Sequence, residues 1–368
     1  MKRFKALDVF RGMTICLMII VNTPGDWGKT FAPLLHANWH GFTFTDLVFP
    51  SFLFAVGTSL AFVQKKWTDT PFSKVAFKIL KRTFIIFILG YIMYWFPFMK
   101  WTPDNEIITK TIGETRIWGV LQRIGLCYGF AAFLVYFLSK KQLLYTSITL
   151  LIGYWLVLWG FGDYTLENNV VRKLDLLLFG ENHLYGGDGI PFDPEGLLST
   201  FPAIVNVIGG YLAGRYLIDN QSDNYQKIAK LLLIGSVLMA ISYFWHYLFP
   251  INKKLWTSSY VLLTIGLDLT MLSALIYAID LKKLAMNFRF FEIFGKNPLI
   301  LYLVSEYLLI TLYFIRPDSK ESLFSMIYIN GFTWLPEYWS SFVFAIVFML
   351  ICWAIGWWMD KQKWYVRV

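Results

Sequence analysis

Long apolar runs separated by short polar stretches dominate the chain. Ten such runs centre on 9–23, 46–64, 83–99, 117–138, 143–160, 197–217, 229–249, 256–278, 298–316 and 340–359. About 20 mostly apolar residues are needed to cross about 30 Å of hydrocarbon. The runs are continuous rather than alternating, so they predict helices and not barrel strands. The expectation is an all-α polytopic membrane helix bundle of about ten transmembrane helices. The longest polar connection, 161–196, and another at 317–339 are too short for a separate domain of ordinary size. One integral membrane domain, 1–368, is therefore expected. The first run holds Arg11 and lacks a small-residue cleavage site, so it reads as a retained span. Gly210 and Gly214 give a GxxxG spacing suited to close helix packing.

Composition strengthens this reading. Hydrophobic residues make up 57% of the 368 and charged residues only 15%, whereas soluble domains carry about 25% charged residues. Such a chain cannot cover its own core with polar surface. The net charge of +9 would suggest nucleic acid in a soluble protein. Here the basic residues lie between apolar runs and record orientation instead. With both termini inside, the inner segments hold 22 Lys and Arg and the outer segments 10. That excess favours cytoplasmic termini, as an even number of spans requires. Cys16, Cys127 and Cys352 all sit in apolar runs, so no disulfide framework follows.

The segment joining the first two runs is the richest in chemistry. It carries Asn22, His36, Trp39, His40 and Asp46. Several readings stay open. Trp and His can form an interfacial belt. His36 and His40 with Asp46 can hold a metal, although short His spacing alone predicts metals poorly. A Ser or Cys nucleophile has no G-x-S-x-G elbow to support it. His as general base beside an amide such as Asn22 needs only proximity. Within the runs, Arg123, Asp268 and Glu306 are expensive to bury and so are site candidates, or else Arg123 neutralises a carboxylate. Asn297 and Pro298 look like an N-cap and first helical residue, where free N–H groups and Lys296 suit a phosphate. Asp193 and Pro194 look like a second such start, with Asp193 and Glu195 suited to a protonated amine.

Seven segments in order resemble one family. They are Leu-Asp-Val-Phe-Arg-Gly (7–12), Val-Asn-Thr-Pro-Gly (21–25), His-Ala-Asn-Trp-His-Gly (36–41), Thr-Asp-Leu-Val-Phe-Pro (45–50), Gly-Val-Leu-Gln-Arg-Ile-Gly (119–125), Phe-Asp-Pro-Glu-Gly (192–196) and Asn-Lys-Lys-Leu-Trp-Thr-Ser-Ser-Tyr (252–260). Together they resemble the heparan-alpha-glucosaminide N-acetyltransferases and their bacterial homologues. The resemblance implies a transmembrane acyltransferase that moves acetyl from cytoplasmic acetyl-CoA to a glucosamine-type amine on the outer side. It implies His36 and Asn22 as catalytic residues. A general-base role for His36 and an acetyl-His36 intermediate both remain open.

Around that core, Arg11, Arg123, Lys296 and Asn297 are expected to hold acetyl-CoA. Trp39, His40, Asp193, Glu195, Asn252, Lys253 and Trp256 are expected to hold the acceptor, an amino sugar or a glycan containing one. No metal and no nucleic acid are expected. The expected location is a bacterial inner (cytoplasmic) membrane. The sequence neither requires nor forbids a homodimer. A sugar transporter or flippase without acyl-transfer chemistry is the alternative; inverted repeats would favour it, and none is evident.

Overall fold

The computed structural model describes residues 5–67, 69–219, 223–284, 288–317 and 321–366. Lys2, Arg3, Lys320 and Arg367, counted above for orientation, lie outside the described residues. The first half contains α1 (Lys5–Asn22), α2 (Val48–Gln64), α3 (Phe72–Trp95), α4 (Val120–Phe137), α5 (Lys140–Phe161) and the short α6 (Val170–Phe179). A small antiparallel hairpin, β1 (Met99–Trp101) and β2 (Ile107–Thr109), follows α3, with Lys100 opposite Ile108. The second half contains α7 (Thr200–Asp219), α8 (Asn224–His246), α9 (Ser258–Leu275), α10 (Arg289–Lys296), α11 (Pro298–Phe314), α12 (Leu323–Phe332) and α13 (Glu337–Lys361). A π-helical turn, Ile276–Leu281, extends α9.

The fold is all-helical, and each of the ten predicted runs falls mainly on a helix. Among the described residues, seven helices are long and apolar enough to cross a membrane alone. The bent pair α10–α11, with an angle of 84°, makes an eighth if it counts as one span. α1 falls short because Lys5, Asp8 and Arg11 lie within its 18 residues. α3 falls short because Lys78, Lys81 and Arg82 enter its apolar stretch. The architecture is that of a multi-pass membrane protein.

Which helices sit centrally follows from their burial. The apolar window of the α2 span is 72% buried and that of α7 67%, against 28% for α5 and 22% for α8. α5 and α8 thus turn apolar surface outward, as lipid-facing helices do. α2 and α7 pack backbone against backbone. A Cβ at Gly210 would strike the Phe54 carbonyl, one at Gly57 the Val207 carbonyl, and one at Gly214 the Ala61 side chain. The GxxxG spacing is therefore a packing motif that lets two central helices approach closely.

Two predicted helix starts differ from expectation. Pro298 does open α11, but the Asn297 side chain does not cap it. Its amide donates to the Trp364 carbonyl at 2.8 Å and accepts from the Val366 N–H at 3.0 Å, so it ties down the C-terminal segment. Asp193 precedes a loop rather than a helix, since α7 begins only at Thr200. Its carboxylate is occupied by Arg116, as described below.

Candidate active site

His36 follows a 3₁₀ turn, Ala32–Leu34, in the long connection from α1 to α2. Asp46 sits in a second such turn, Thr45–Leu47, that runs straight into α2. The turn buries Asp46 and aims its carboxylate back at the loop. His36 Nδ1 lies 2.7 Å from Asp46 Oδ1. The other Asp46 oxygen accepts from the Ala37 N–H (3.2 Å), the Thr43 N–H (2.9 Å) and the Thr43 hydroxyl (3.1 Å). A carboxylate held by that many donors stays ionised and takes the Nδ1 proton as its hydrogen-bond partner. The Nε2 lone pair of His36 is then the basic one, and the ring is oriented by a buried anion.

Lys253 reaches the same ring from the connection between α8 and α9. Its Nζ lies 3.1 Å from both His36 nitrogens. The two in-plane lone-pair directions diverge, so an atom equidistant from both lies along neither. Lys253 therefore acts on the ring mainly as a nearby charge. Burial first, and the Lys253 ammonium second, hold His36 below its ordinary pKa, against the pull of Asp46. Lys253 is itself lowered, by burial and then by Lys254 and Arg123, despite Asp46 and Glu195. The turn presenting it is built by Asn252, whose side chain accepts from the Leu255 N–H at 2.8 Å, and by Trp256 at φ 53°.

These groups border an outer cavity of about 440 Å³. Asn22, at the end of α1, lines it beside Tyr94, Arg116, Asp188, Glu195 and Glu306. Asn22 Nδ2 is 3.4 Å from Glu306 Oε1, a long contact. Arg116 binds Asp193 through two nitrogens (2.8 and 2.6 Å) and Glu195 at 2.6 Å. Its guanidinium also lies 4.9 Å from the Tyr94 ring centre and 4.8 Å from that of Tyr185. Burial would raise Glu195, but Arg116, Arg123 and Lys253 together hold it below the usual carboxylate value.

A second cavity, of about 610 Å³, opens at the other end of the same helices. Arg11, Arg82 and Lys296 border it, with Tyr365 and Val366 from the C-terminal segment. Lys296 donates to Asp360 at 2.6 Å. Helices α1, α2, α3, α4 and α11 line both cavities. On α2 the two linings come within three residues, at Phe49 and Phe52, and on α11 likewise at Leu299 and Tyr302. Three residues of helix rise about 4.5 Å. The septum between the cavities is thus about one helical turn thick on those two helices.

The predicted residues divide accordingly. His36, Asn22, Glu195 and Lys253 meet at the outer cavity, and Arg11 and Lys296 at the inner one. The others do not border either cavity. Trp39 donates its indole N–H to the Tyr164 carbonyl at 2.7 Å and packs on Phe192. His40 accepts from Asn252 at 3.3 Å. Asp193 is spent on Arg116. Trp256 is wholly buried, donating to Asn206 at 3.0 Å. Arg123 is also wholly buried, 4.8 Å over Trp256, and bonds to Ser199 and the Gly196 carbonyl. It forms no ion pair with Asp268 or Glu306; Asp268 instead accepts from Ser51. Among the described residues no cluster of three or more His, Cys, Asp or Glu suited to a metal is present.

Sequence reasoning passed over Arg116, Tyr94, Tyr185 and Asp188. It had weighed Asp46 only as a metal ligand. Arg116 was counted as a loop charge, and no local pattern marks it. Asp46, ten residues after His36 and just before an apolar run, carried a usable signal.

The sequence profile described as "Heparan-alpha-glucosaminide N-acetyltransferase, catalytic" matches residues 3–248. The chain belongs to this family. The matched range includes Asn22, His36, Asp46, Arg116 and Glu195; Lys253, Lys296 and Glu306 lie beyond it. Heparan-alpha-glucosaminide N-acetyltransferase of Mus musculus is 28% identical over 363 residues, and that of Homo sapiens 28% over 361. Each comparison covers 83% of this chain. The chain spans about half the length of these two relatives, 54% and 53%.

Proposed function

We propose that this family member is a transmembrane N-acetyltransferase. It moves acetyl from cytoplasmic acetyl-CoA to the amine of a glucosamine-type sugar on the outer side of a bacterial inner membrane. The observation that carries this reading is the pair of cavities at opposite ends of five shared helices. One holds a His–Asp pair, the other a set of cations. The basic excess of the inner segments assigns the second cavity to the cytoplasm.

The inner cavity suits the donor. Arg11, Arg82 and Lys296 match the phosphates of a nucleotide, and Arg82 Nε is buried without a hydrogen-bond partner. The donor supplies an activated acetyl thioester. The chain's own residues do the rest. Asp46 fixes the Nδ1–H tautomer of His36, and Nε2 takes the proton lost by the attacking amine nitrogen. As the N–C bond forms, the C–S bond breaks, and the sulfur leaves as a thiolate that takes up a proton. Asn22 and the Lys253 ammonium border the cavity where negative charge develops on the acyl oxygen. Glu195 and Asp188 hold the ammonium form of the acceptor before it loses its proton.

The test uses sealed, oriented vesicles with acetyl-CoA only on the cytoplasmic side and glucosamine only outside. Acetylated sugar should appear outside while free CoA appears inside. Product that forms only when both substrates share one side would sink the through-membrane reading. Sugar that crosses unacetylated, with no CoA released, would instead make the protein a transporter.

A further inference from the structure

The septum between the two cavities contains a polar group with nothing to bind. Gln122 on α4 is fully buried, and neither its Oε1 nor its Nε2 has a hydrogen-bond partner. Its neighbours in sequence frame the septum: Val120 borders the outer cavity, and Leu121 and Ile124 the inner one. Across from it, α3 presents Arg82, Ile86, Gly90 and Tyr94 at four-residue intervals along one face. Arg82 and Ile86 border the inner cavity and Tyr94 the outer. Gly90 falls midway, and a Cβ there would collide with the Gln122 carboxamide. The glycine leaves room for that carboxamide at the level where the two cavities are divided.

An unpaired buried amide costs free energy that a leucine of similar size would not. A partner that arrives with the donor offsets that cost. We propose that Gln122 binds a backbone-like amide of the pantetheine arm as acetyl-CoA threads from the inner cavity toward His36. The inference rests on the donor assignment above. The arm carries secondary amides, each with one N–H and one C=O. A primary carboxamide can meet such a group with both its atoms, its Oε1 accepting and its Nε2 donating. In a septum otherwise framed by Phe49, Phe52, Leu121 and Leu299, an arm amide without such a partner would be left unsatisfied. Gln122 is thus a donor-positioning residue.

The experiment measures binding and stability rather than turnover. Purified wild type and Gln122→Leu are titrated by calorimetry with acetyl-CoA and with adenosine bisphosphate, the nucleotide head without its arm. Thermal unfolding of both proteins is recorded without ligand. Gln122→Leu should bind acetyl-CoA about tenfold more weakly or worse, since one lost amide contact in a dry site has that order of effect. It should bind adenosine bisphosphate as wild type does, and unfold at the same or a higher temperature. A purely structural glutamine gives lower stability with acetyl-CoA affinity intact, and that result overturns the proposal. So does equal weakening for both ligands. If Gln122→Leu does not fold, Gln122→Met, unbranched like the original, is held to the same criteria. Wild type that binds no acetyl-CoA would instead refute the donor assignment itself.

Discussion

Replacing Lys253 by Met removes a positive charge 3.1 Å from each nitrogen of His36. The acid limb of turnover should then move to higher pH. A base must be neutral to accept a proton, so activity falls as pH drops through the folded pKa of His36. That pKa lies below the ordinary 6.5, with burial the first cause and Lys253 the second. Without the ammonium, the imidazolium loses a repulsion while Asp46 and Glu195 still attract it, so the pKa rises. At 3.1 Å, two like charges repel by about 1.3 kcal/mol in water and about 5 kcal/mol at an effective dielectric of about 20. The His36 side chain is 40% exposed, which places the site near the screened end of that range. One pKa unit corresponds to about 1.4 kcal/mol, so the expected shift is about one pH unit upward. The assay is kcat/KM for acetyl transfer across pH in detergent-purified protein, which reports groups of the free enzyme. The acceptor amine titrates identically in both proteins and cancels in the comparison. An acid limb that stays put or moves down would refute the assigned charge coupling, and so would a uniform loss at every pH.

Asp46→Asn keeps a side chain able to accept from Thr43 but no longer fixes the His36 tautomer. Turnover should fall about 10²–10⁴-fold, the range for losing a well-placed base, while the unfolding temperature changes little. Full activity in that variant would remove the His–Asp pair from the mechanism. Arg116→Met leaves Asp193 and Glu195 buried without their cation and should destabilise by about 3–5 kcal/mol. The sign with pH is fixed: Glu195 is depressed in the native protein, so its contribution is present above the unfolded carboxylate pKa and lost below its folded one. Thermal unfolding should therefore show a deficit at neutral pH that narrows on acidification; a pH-independent deficit would contradict the argument.

Much of the site was legible because its signals are local. His36 and Asn22 lie in one outer connection, and Arg11 and Lys296 flank apolar runs on the basic side. Chemistry and topology therefore coincided along the sequence. The helical class followed from run length and continuity alone. What the sequence did not disclose depends on which helix faces meet. Nothing near Arg116 announces Asp193, 77 residues on, as its partner. Nothing near Gly90 announces the carboxamide of Gln122. Asn297 illustrates a competition that local rules miss. Its side chain is suited to capping, but the C-terminal backbone at Trp364 and Val366 takes both of its polar atoms. Trp39, His40, Asn252 and Trp256 share their segments with active groups, yet shape the turns that present them. Proximity in sequence marks such residues without telling scaffold from contact.

The one-turn septum has an electrical consequence on the proposed reading. The acetyl group is neutral, so moving it past Phe49 and Phe52 does no work against a membrane voltage. The protons are another matter. The amine surrenders one through His36 to the outer compartment, while the thiolate recovers one from the cytoplasm. Each turnover then exports the equivalent of one positive charge. An inside-negative voltage opposes that by about 2.3 kcal/mol for every 100 mV. Only a route carrying the proton back inward, for which Glu306 and Asn22 occupy the outer end, would make the cycle electroneutral. Turnover in vesicles under an imposed potassium diffusion potential distinguishes the two: a rate that falls as the interior becomes negative marks the enzyme as a current source.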